Sequence, residues 1–139
     1  MSGYAESGEV QVKAIQGRAH SIAPGNIIQV DFPHVRPAQQ TDGAIETSKK
    51  RPALVLYIEK NQMVVAYISS KVPNLLNPAD VLVLDNNPSF GETGLKRSSV
   101  IRLGVLATVP IRNATGLYGS VSSDLRSEIN SKLITCFKI

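Results

Sequence analysis

The sequence predicts a mainly β protein, a small twisted barrel of antiparallel strands with one C-terminal helix packed on it. Between residues 26 and 109, short apolar segments alternate with prolines, glycines and polar residues, which is the pattern of strands joined by turns. From Val121 onwards the apolar residues instead recur every four positions, which is the spacing of an amphipathic helix. Strands followed by a closing helix favour a curled sheet with the helix on one face.

A single domain accounts for most of the 139 residues, because a chain of this length can bury one hydrophobic core. The first 22 residues differ from the rest. Their segment "EVQVKAI" alternates like a strand, but Ser-Gly and Ala-Pro-Gly flank it, and such flanks are typical of loops. We therefore expect an N-terminal arm over residues 1–22 and a folded domain over residues 23–139.

The first strand of the domain is "NIIQVDF", in which Ile28, Val30 and Phe32 alternate with polar residues, as in a half-buried strand. The segment that follows, "PHVRPAQQTDGAIETSKK" over residues 33–50, is rich in proline, glycine and polar residues. We predict a long loop there. Loops of more than about 12–15 residues in compact domains are usually functional or disordered.

The next apolar run, "PALVLYI", predicts a central strand that begins at Pro52, where the missing N–H of proline costs least. A tight connection, "EKNQ", leads to its hairpin partner "MVVAYISS", and "ADVLVLD" and "SVIRLGVLATV" are later strands. The C-terminal helix begins near Ser122 or Ser123, since either hydroxyl can cap it. Its apolar stripe consists of Val121, Leu125, Ile129, Leu133 and Phe137.

Composition indicates an ordinary globular protein without a membrane span or a metal centre. Hydrophobic residues make up 42% of the chain, and no apolar stretch approaches the roughly 18 residues of a spanning helix. The N-terminus lacks the apolar core of a signal peptide, so we expect a cytoplasmic location. One cysteine and two histidines provide no cluster with metal-ligand spacing. We expect neither metal nor cofactor, and we interpret Cys136 as a core residue.

The chain is modestly basic, with a net charge of +4 and an isoelectric point near 9.4. Three cations, Lys49, Lys50 and Arg51, stand directly before the apolar run that begins at Pro52. Such a cluster is either a solvated loop end or part of a pocket for an anion. The 5% aromatic content and the absence of tryptophan argue against a platform that stacks a long single strand.

Four segments in order favour the pocket. They are "PGNIIQVDFP", "KKRPALVLY", "VVAYISSK" and "GLKRSSVIRLGVLATV". With the closing helix, their order and spacing resemble the MazF/PemK/Kid toxins of type II toxin–antitoxin modules over residues 24–136. The resemblance implies an SH3-like barrel of the CcdB/PemK type, a homodimer, and a cognate antitoxin protein as partner. It also implies an endoribonuclease that cuts single-stranded RNA without a metal ion or cofactor.

By this resemblance Arg51 and Ser69 are the principal candidate catalytic residues. When a 2′-hydroxyl attacks the neighbouring phosphate, negative charge builds on the phosphoryl oxygens, and a guanidinium stabilises such oxygens through two parallel hydrogen bonds. Arg51 is the arginine of the Arg-Pro motif. Ser69 replaces the family's threonine at the end of the next strand, where a hydroxyl can donate to the same phosphate. The alternatives are a surface arginine and a polar strand end.

Three more residues are candidates for catalysis. Glu46 lies five residues before Arg51, where family members often carry a glutamate, although the glycine of that motif is replaced here. Arg102 matches the arginine of the later strand, and Gly104 stands where the family usually has an aspartate, so a general base is missing there. His34, in the predicted loop, is the candidate substitute because its ordinary pKa lies near neutrality, although it falls on no motif position. Solvated loop residues are the alternative for the glutamate and the histidine.

The remaining basic residues of the middle segment are candidates for holding the phosphate backbone. Such contacts give affinity without sequence preference and weaken as salt rises. Each of them is alternatively an ordinary surface charge. Ser70 is a further candidate contact, but in a regular strand it points away from Ser69, so we do not expect the two serines to be interchangeable. The basic candidates are Lys49, Lys50, Lys71, Lys96 and Arg97.

Two other functions are compatible with the sequence. The related gyrase poisons share the barrel but clamp a protein, and they lack the Arg-Pro and Thr-Ser pair, so Arg51 and Ser69 favour the nuclease. A catalytically inactive homologue, which binds RNA or an antitoxin without cleaving, is favoured by Gly104. Because a fold does not determine a function, the site has to distinguish among the three.

Overall fold

The computed structural model describes residues 10–15, 18–35 and 46–139, with side chains described for residues 21–33 and 50–139. This part of the chain forms eight strands, two α-helices and one 3₁₀ turn (Ile111–Asn113). The strands are β1 (Val10–Ile15), β2 (Arg18–Ile22), β3 (Asn26–Val35), β4 (Glu46–Glu59), β5 (Gln62–Ser69), β6 (Asp80–Val83), β7 (Ser99–Pro110) and β8 (Ala114–Ser120), and the helices are α1 (Phe90–Thr93) and α2 (Ser123–Cys136).

Six of the strands form one antiparallel sheet in the order β6-β7-β5-β4-β3-β8. Strands β1 and β2 form a separate two-stranded hairpin. Helix α2 packs on one face of the six-stranded sheet, so the predicted mainly β fold with a C-terminal helix is confirmed. No helix within residues 10–15, 18–35 and 46–139 is long and apolar enough to cross a bilayer.

Alternate residues of the strands enter two separate hydrophobic cores. Ile28 and Val30 of β3 pack with Ala53 of β4 in one core, whereas Ile27 and Leu54 belong to the other core, which α2 covers. Successive side chains of a strand point to opposite faces of the sheet. A strand that is buried on both faces therefore reads as a continuous apolar run, which explains why "PALVLYI" is recognisable in the sequence.

Helix α2 begins where it was predicted. The hydroxyl of Ser122 accepts a hydrogen bond from the backbone N–H of Leu125 at 3.2 Å, so Ser122 is the N-cap. Leu125 is buried against the sheet. Phe137 follows the last helical residue and is 48% exposed, so the apolar stripe ends earlier than predicted. Cys136 is also exposed, and its interpretation as a core residue is wrong because, in the last turn of α2, Leu133 packs on the core whereas the Cys136 side chain faces solvent.

The predicted loop over residues 33–50 is strand at both of its ends. Strands β3 and β4 extend into it from either side, and their register pairs His34 with Thr47. The prediction is wrong for these end residues because "PHV" and "ETSKK" carry no hydrophobic alternation, while backbone pairing needs none. The centre of the predicted loop, residues 36–45, lies outside the described residues.

Pro52 lies inside β4 rather than at its start, which corrects a second prediction. On one side it faces Gln29 of β3. On the other side, the pairing of β4 with β5 begins only at Ala53. Proline has no N–H to contribute to a ladder, and here the β4–β5 ladder ends beside it. The candidate site lies at this end of the ladder.

The sequence pattern does not predict β8, because its segment "ATGLYGS" contains two glycines. Gly119 packs closely against α1, since a Cβ at this position would overlap the carbonyl oxygen of Glu92. Gly94, which has a φ of 71°, lies in a similar way against the carbonyl group of Tyr118. These backbone contacts, which only glycine permits, fix the segment after α1 beside β8.

Candidate functional site

One cavity opens beside the end of the β4–β5 ladder and collects most of the predicted site residues. Its volume is about 680 Å³. Residues of β4, the end of β5, the segment between α1 and β7, and single residues of β3 and β8 line it. The predicted site residues on its wall are Lys50, Arg51, Ser69, Ser70, Lys71, Lys96 and Arg97.

Arg51 is held in place at the cavity wall by an aromatic neighbour. Its NH1 atom donates a hydrogen bond to the hydroxyl of Tyr67 at 2.9 Å, and its Cζ atom lies 5.2 Å from the centroid of the Tyr67 ring. Tyr67 in turn packs on Phe32, with the two ring centroids 5.4 Å apart. A guanidinium that is held by a hydrogen bond and by a ring face loses much of its freedom, so Arg51 is preorganised.

Arg51 and Ser69 lie just beyond the end of the β4–β5 ladder on neighbouring strands. The last pair of this ladder is Ala53 of β4 with Tyr67 of β5, and Arg51 and Ser69 each lie two residues beyond it. Residues that are two apart in an extended strand share one face of the sheet. The arginine and the serine therefore flank one space, and both line the cavity.

The hydroxyl of Ser69 is hydrogen-bonded to the backbone of a neighbouring residue. Its Oγ accepts a hydrogen bond from the backbone N–H of Lys71 at 3.1 Å, which leaves its own O–H available as a donor. Ser70 follows the last residue of β5 and is exposed. Because the alternation of a regular strand ends at this point, Ser70 lines the cavity together with Ser69.

The cavity wall is strongly basic. Of the described residues that line it, five are cations and none carries a carboxylate. Within the described part of the chain, Asp31 lies 3.8 Å from Nζ of Lys50, but both side chains are about half exposed and such a pair contributes little. Positive charges around a concave wall reinforce one another, so the cavity is suited to a polyanion. The five cations are Lys50, Arg51, Lys71, Lys96 and Arg97.

Arg102 is engaged in a buried ion pair. Its Nε atom donates to Oδ1 of Asp80 at 3.0 Å, and the Asp80 side chain is only 2% exposed. The other carboxylate oxygen of Asp80 accepts from the backbone N–H of Asn77 at 2.8 Å, and Lys132 of α2 donates to the Asp80 carbonyl at 2.7 Å. The pair therefore ties β6, β7 and α2 together, and Arg102 is not among the described residues that line the cavity.

Gly104 lies in β7 where the ladder with β5 is irregular, between the residues that pair with Ala66 and Tyr67. It is exposed, and a Cβ at this position would meet no atom within 4 Å. The backbone therefore does not require glycine here, and a side chain at this position is sterically allowed.

Three predicted site residues lie on strands, but their side chains are outside the described residues. His34 faces Thr47 and Lys49 faces Phe32 in the β3–β4 register, while Glu46 is the first residue of β4. Within the parts of the chain that the structure describes, no three histidine, cysteine, aspartate or glutamate residues are grouped so that they could hold a metal ion.

Among the cavity residues that sequence reasoning missed are Gln29, Tyr67 and Tyr118. A signal for Tyr67 was present, because it precedes Ser69 by two residues and so shares its strand face. Gln29 donates through Nε2 to the Tyr118 hydroxyl at 3.1 Å, although 89 residues separate the two. They meet only through the pairing of β3 with β8, and nothing in the glycine-containing β8 segment predicts that pairing.

Comparisons with known proteins agree with the fold described above. Residues 23–137 match the model of a family described as the PemK-like, MazF-like toxin of type II toxin–antitoxin systems. A search among curated proteins gave no match.

Several solved structures share the fold. The Mycobacterium tuberculosis toxin MazF-mt6 is 20% identical with a TM-score of 0.58, over 82% of this chain and 97% of that chain. An endoribonuclease in complex with its cognate antitoxin, from a mycobacterial species, is 12% identical with a TM-score of 0.58, over 84% and 94% of the two chains. A further mycobacterial endoribonuclease is 13% identical with a TM-score of 0.55, over 83% and 89%. At these identities the likeness shows the fold alone.

Proposed function

This chain belongs to the PemK-like, MazF-like toxins of type II toxin–antitoxin systems, and we propose that it acts as an endoribonuclease on single-stranded RNA. The observation that carries the proposal is the basic cavity whose wall holds both Ser69 and Arg51, with Arg51 oriented by Tyr67. Two structures with the same fold are named endoribonucleases, which supports the same activity here.

The proposed reaction is an internal transfer at one phosphodiester. The 2′-hydroxyl attacks the adjacent phosphorus, so the O2′–P bond forms and the P–O5′ bond breaks. One fragment then ends in a 2′,3′-cyclic phosphate and the other in a 5′-hydroxyl. A base takes the proton of the 2′-hydroxyl and an acid gives one to the leaving O5′. Negative charge grows on the non-bridging oxygens during this step, and donors already aimed at that charge lower the barrier.

Arg51 is the principal donor in this scheme. A guanidinium has five N–H groups, and Tyr67 uses one of those on NH1, which leaves parallel donors for the phosphoryl oxygens. The O–H of Ser69 donates to the same phosphate from the neighbouring strand. The lysines of the wall hold flanking phosphates, which gives affinity rather than sequence choice. Because no step in this scheme requires a metal ion, we expect cleavage in the presence of EDTA.

Glu46 and His34 are the proposed groups for proton transfer. Glu46 lies five residues along β4 from Arg51, a distance of about 16 Å at 3.3 Å per residue. Its participation, and that of His34 on the paired strand, therefore requires the β3–β4 ribbon to fold over the bound RNA. Arg102 is held by Asp80 and is not among the described residues that line the cavity, so we propose that it supports the site through β7.

Family membership also supports proposals about assembly. One related structure is a complex with its cognate antitoxin, and we expect this chain to bind a cognate antitoxin too. We propose that residues 23–139 form the toxin domain, that residues 1–22 form an extension outside the family match of 23–137, and that the protein is a cytoplasmic homodimer.

The test is a cleavage assay on a long unstructured RNA with EDTA present. We expect the purified protein to produce fragments with 5′-hydroxyl and 2′,3′-cyclic phosphate ends. Arg51→Ala should abolish cleavage while thermal unfolding stays cooperative. Arg112→Ala, which changes an exposed arginine outside the cavity, should cleave like the wild type. If cleavage is sequence-specific, the assay should give fragments of a few discrete lengths. Intact RNA after incubation with the wild type contradicts the proposal.

The second candidate is an inactive homologue that binds RNA without cutting it, and Gly104 in place of the family's aspartate favours it. This candidate is correct if the wild type shifts RNA on a gel and leaves it intact. Growth arrest with intact RNA and altered DNA supercoiling would instead indicate the gyrase-poison type of binding.

A further inference from the structure

Neutral side chains form a hydrogen-bonded group beside the cations of the cavity. Gln29 donates through Nε2 to the Tyr118 hydroxyl at 3.1 Å, and its Oε1 accepts from the hydroxyl of Thr115 at 3.0 Å. Gln29 and Tyr118 both line the cavity. The two contacts hold the Gln29 amide at both of its ends, so the amide plane is fixed before a ligand arrives.

The fixed amide keeps one donor and one acceptor for a ligand. An amide nitrogen carries two N–H groups, and an amide oxygen can accept two hydrogen bonds. Tyr118 and Thr115 use one of each. One N–H and one acceptor position remain, and a donor with an acceptor on one amide are the groups with which glutamine pairs with the N6 and N7 edge of adenine. Unstacked RNA bases are recognised along such edges.

Tyr118 offers a surface on which a base can stack. Its side chain is 37% exposed, and its hydroxyl is held by Gln29. Its carbonyl group lies against Gly94, and the next residue, Gly119, packs against α1. A partly exposed ring with a fixed backbone is a rigid platform, and aromatic platforms bind bases by stacking without much sequence preference.

The platform and the amide lie close to the arginine. Strands β8, β3 and β4 are consecutive in the sheet, and Gln29 faces Pro52, the neighbour of Arg51. Adjacent strands are about 4.8 Å apart, so the strands of Tyr118 and Arg51 are separated by about 10 Å. The base and the phosphate of one nucleotide are joined by a single ribose, so one nucleotide can reach both.

We propose that Gln29 and Tyr118 form an adenine-selective subsite beside the phosphate position at Arg51. Tyr118 stacks on the base, and the Gln29 amide reads its edge. The inference rests on the proposed RNA-cutting function and adds to it the residues that choose the cleavage sequence. The cations of the wall contact phosphates, and such contacts carry no sequence information. The neutral pair of Gln29 and Tyr118 therefore supplies the base selectivity.

The test separates base selection from cleavage by using RNA that cannot be cut. Fluorescent 2′-O-methyl hexamers of adenine, cytosine and uracil lack the attacking hydroxyl, and their affinities are measured by anisotropy at one fixed salt concentration. We expect the wild type to bind the adenine hexamer about tenfold more tightly than the other two. Gln29→Ala should reduce this ratio to less than about threefold, chiefly by weakening the binding of the adenine hexamer.

Variants of the platform have a different expected effect. Tyr118→Leu should weaken the binding of all three hexamers by about tenfold or more, because stacking is tolerant of sequence. Gln62→Ala and Tyr57→Leu are matched controls, since both residues are exposed and lie outside the cavity. The hydrogen bond to Glu59 raises the pKa of Tyr57, so its phenol stays neutral in the assay. We expect both control variants to bind like the wild type.

Each outcome bears on one proposal or on both. Equal binding of the three hexamers by the wild type, preference for another base, or an adenine preference that survives Gln29→Ala overturns the adenine subsite, whatever the cleavage assay shows. An adenine preference that Gln29→Ala removes supports the subsite, even if natural RNA stays intact and the nuclease proposal fails. Failure to bind any hexamer contradicts both proposals.

Discussion

The hydroxyl of Tyr67 accepts a hydrogen bond from NH1 of Arg51 at 2.9 Å. Tyr67 also packs on Phe32, which is only 5% exposed. The orientation of the cavity's arginine is therefore set by the hydrophobic core, through the ring and the hydroxyl of one tyrosine. The packing of Phe32 in β3 against Tyr67 in β5 therefore determines how the Arg51 guanidinium is oriented in the cavity.

The first prediction removes only the Tyr67 hydroxyl. Tyr67→Phe keeps the packing on Phe32 and the ring face near Arg51, but it removes the acceptor. A hydrogen bond to a charged group contributes about 1.5–3 kcal/mol, so we expect kcat of RNA cleavage to fall by about tenfold or more. KM should change little, because the guanidinium keeps its charge and loses only its orientation. An unchanged kcat, or a rise in KM alone, contradicts this positioning role.

The second prediction compares the two serines of the cavity wall. Ser69→Ala removes the O–H that shares the cavity wall with Arg51, and we expect kcat to fall by about tenfold or more. Ser69→Thr keeps the hydroxyl and should retain most of the activity. Ser70→Ala, a matched change at an exposed neighbour, should lower kcat by less than about threefold. Single-turnover cleavage rates measure these differences, and equal losses at both positions would remove the special role of Ser69.

The sequence predicts the strands that are buried on both faces and misses those that are not. "PALVLYI" is apolar at nearly every position because Leu54 and Val55 enter opposite cores. The β3–β4 ribbon carries no such run, and β8 is interrupted by glycines that its contact with α1 requires. Backbone pairing alone leaves no hydrophobic trace, so these elements become visible only in the structure.

The sequence likewise predicts some residues of the candidate site and misses others. Arg51 and Ser69 are found from the sequence because each stands in a local motif, and both lie close to the end of the ladder of one hairpin. Gln29 and Tyr118 meet through a pairing between the first and the last strand of the sheet. A contact of that range depends on the complete topology, which no single segment encodes.

The third prediction concerns the salt dependence of RNA binding. Each phosphate neutralised on a single strand contributes about 0.7 to the slope of log K against log salt concentration. Replacing Lys96 and Arg97 together by alanine should therefore reduce the slope by about 1.4. The matched control is the double change of Arg112 and Lys138 to alanine, since both are exposed and lie outside the cavity. Anisotropy titrations with the uracil hexamer at several salt concentrations measure the slope, and an unchanged slope in the first variant contradicts backbone contacts there.

The fourth prediction concerns stability. Asp80→Ala leaves the N–H of Asn77 and the guanidinium of Arg102 without their buried acceptor. Because Arg102 remains about one-third exposed, water compensates part of the loss, and we expect the free energy of unfolding to fall by about 2 kcal/mol. Asp85→Ala, an exposed aspartate nearby, should change it by less than about 0.5 kcal/mol. Urea unfolding measures both, and equal values would show that the buried pair has no net stabilising effect.

The last prediction concerns the glycine that replaces the family's aspartate. A Cβ at position 104 meets no atom within 4 Å, so Gly104→Asp should fold with an unfolding free energy close to that of Gly104→Ala. A general base must lie within hydrogen-bond reach of the proton that it removes. Gly104 is exposed and is not among the described residues that line the cavity with Arg51 and Ser69. We therefore expect Gly104→Asp to change kcat by less than about threefold relative to Gly104→Ala. A general base typically contributes about 100-fold or more, so a rise of that size would contradict the prediction and show that the missing carboxylate limits the reaction.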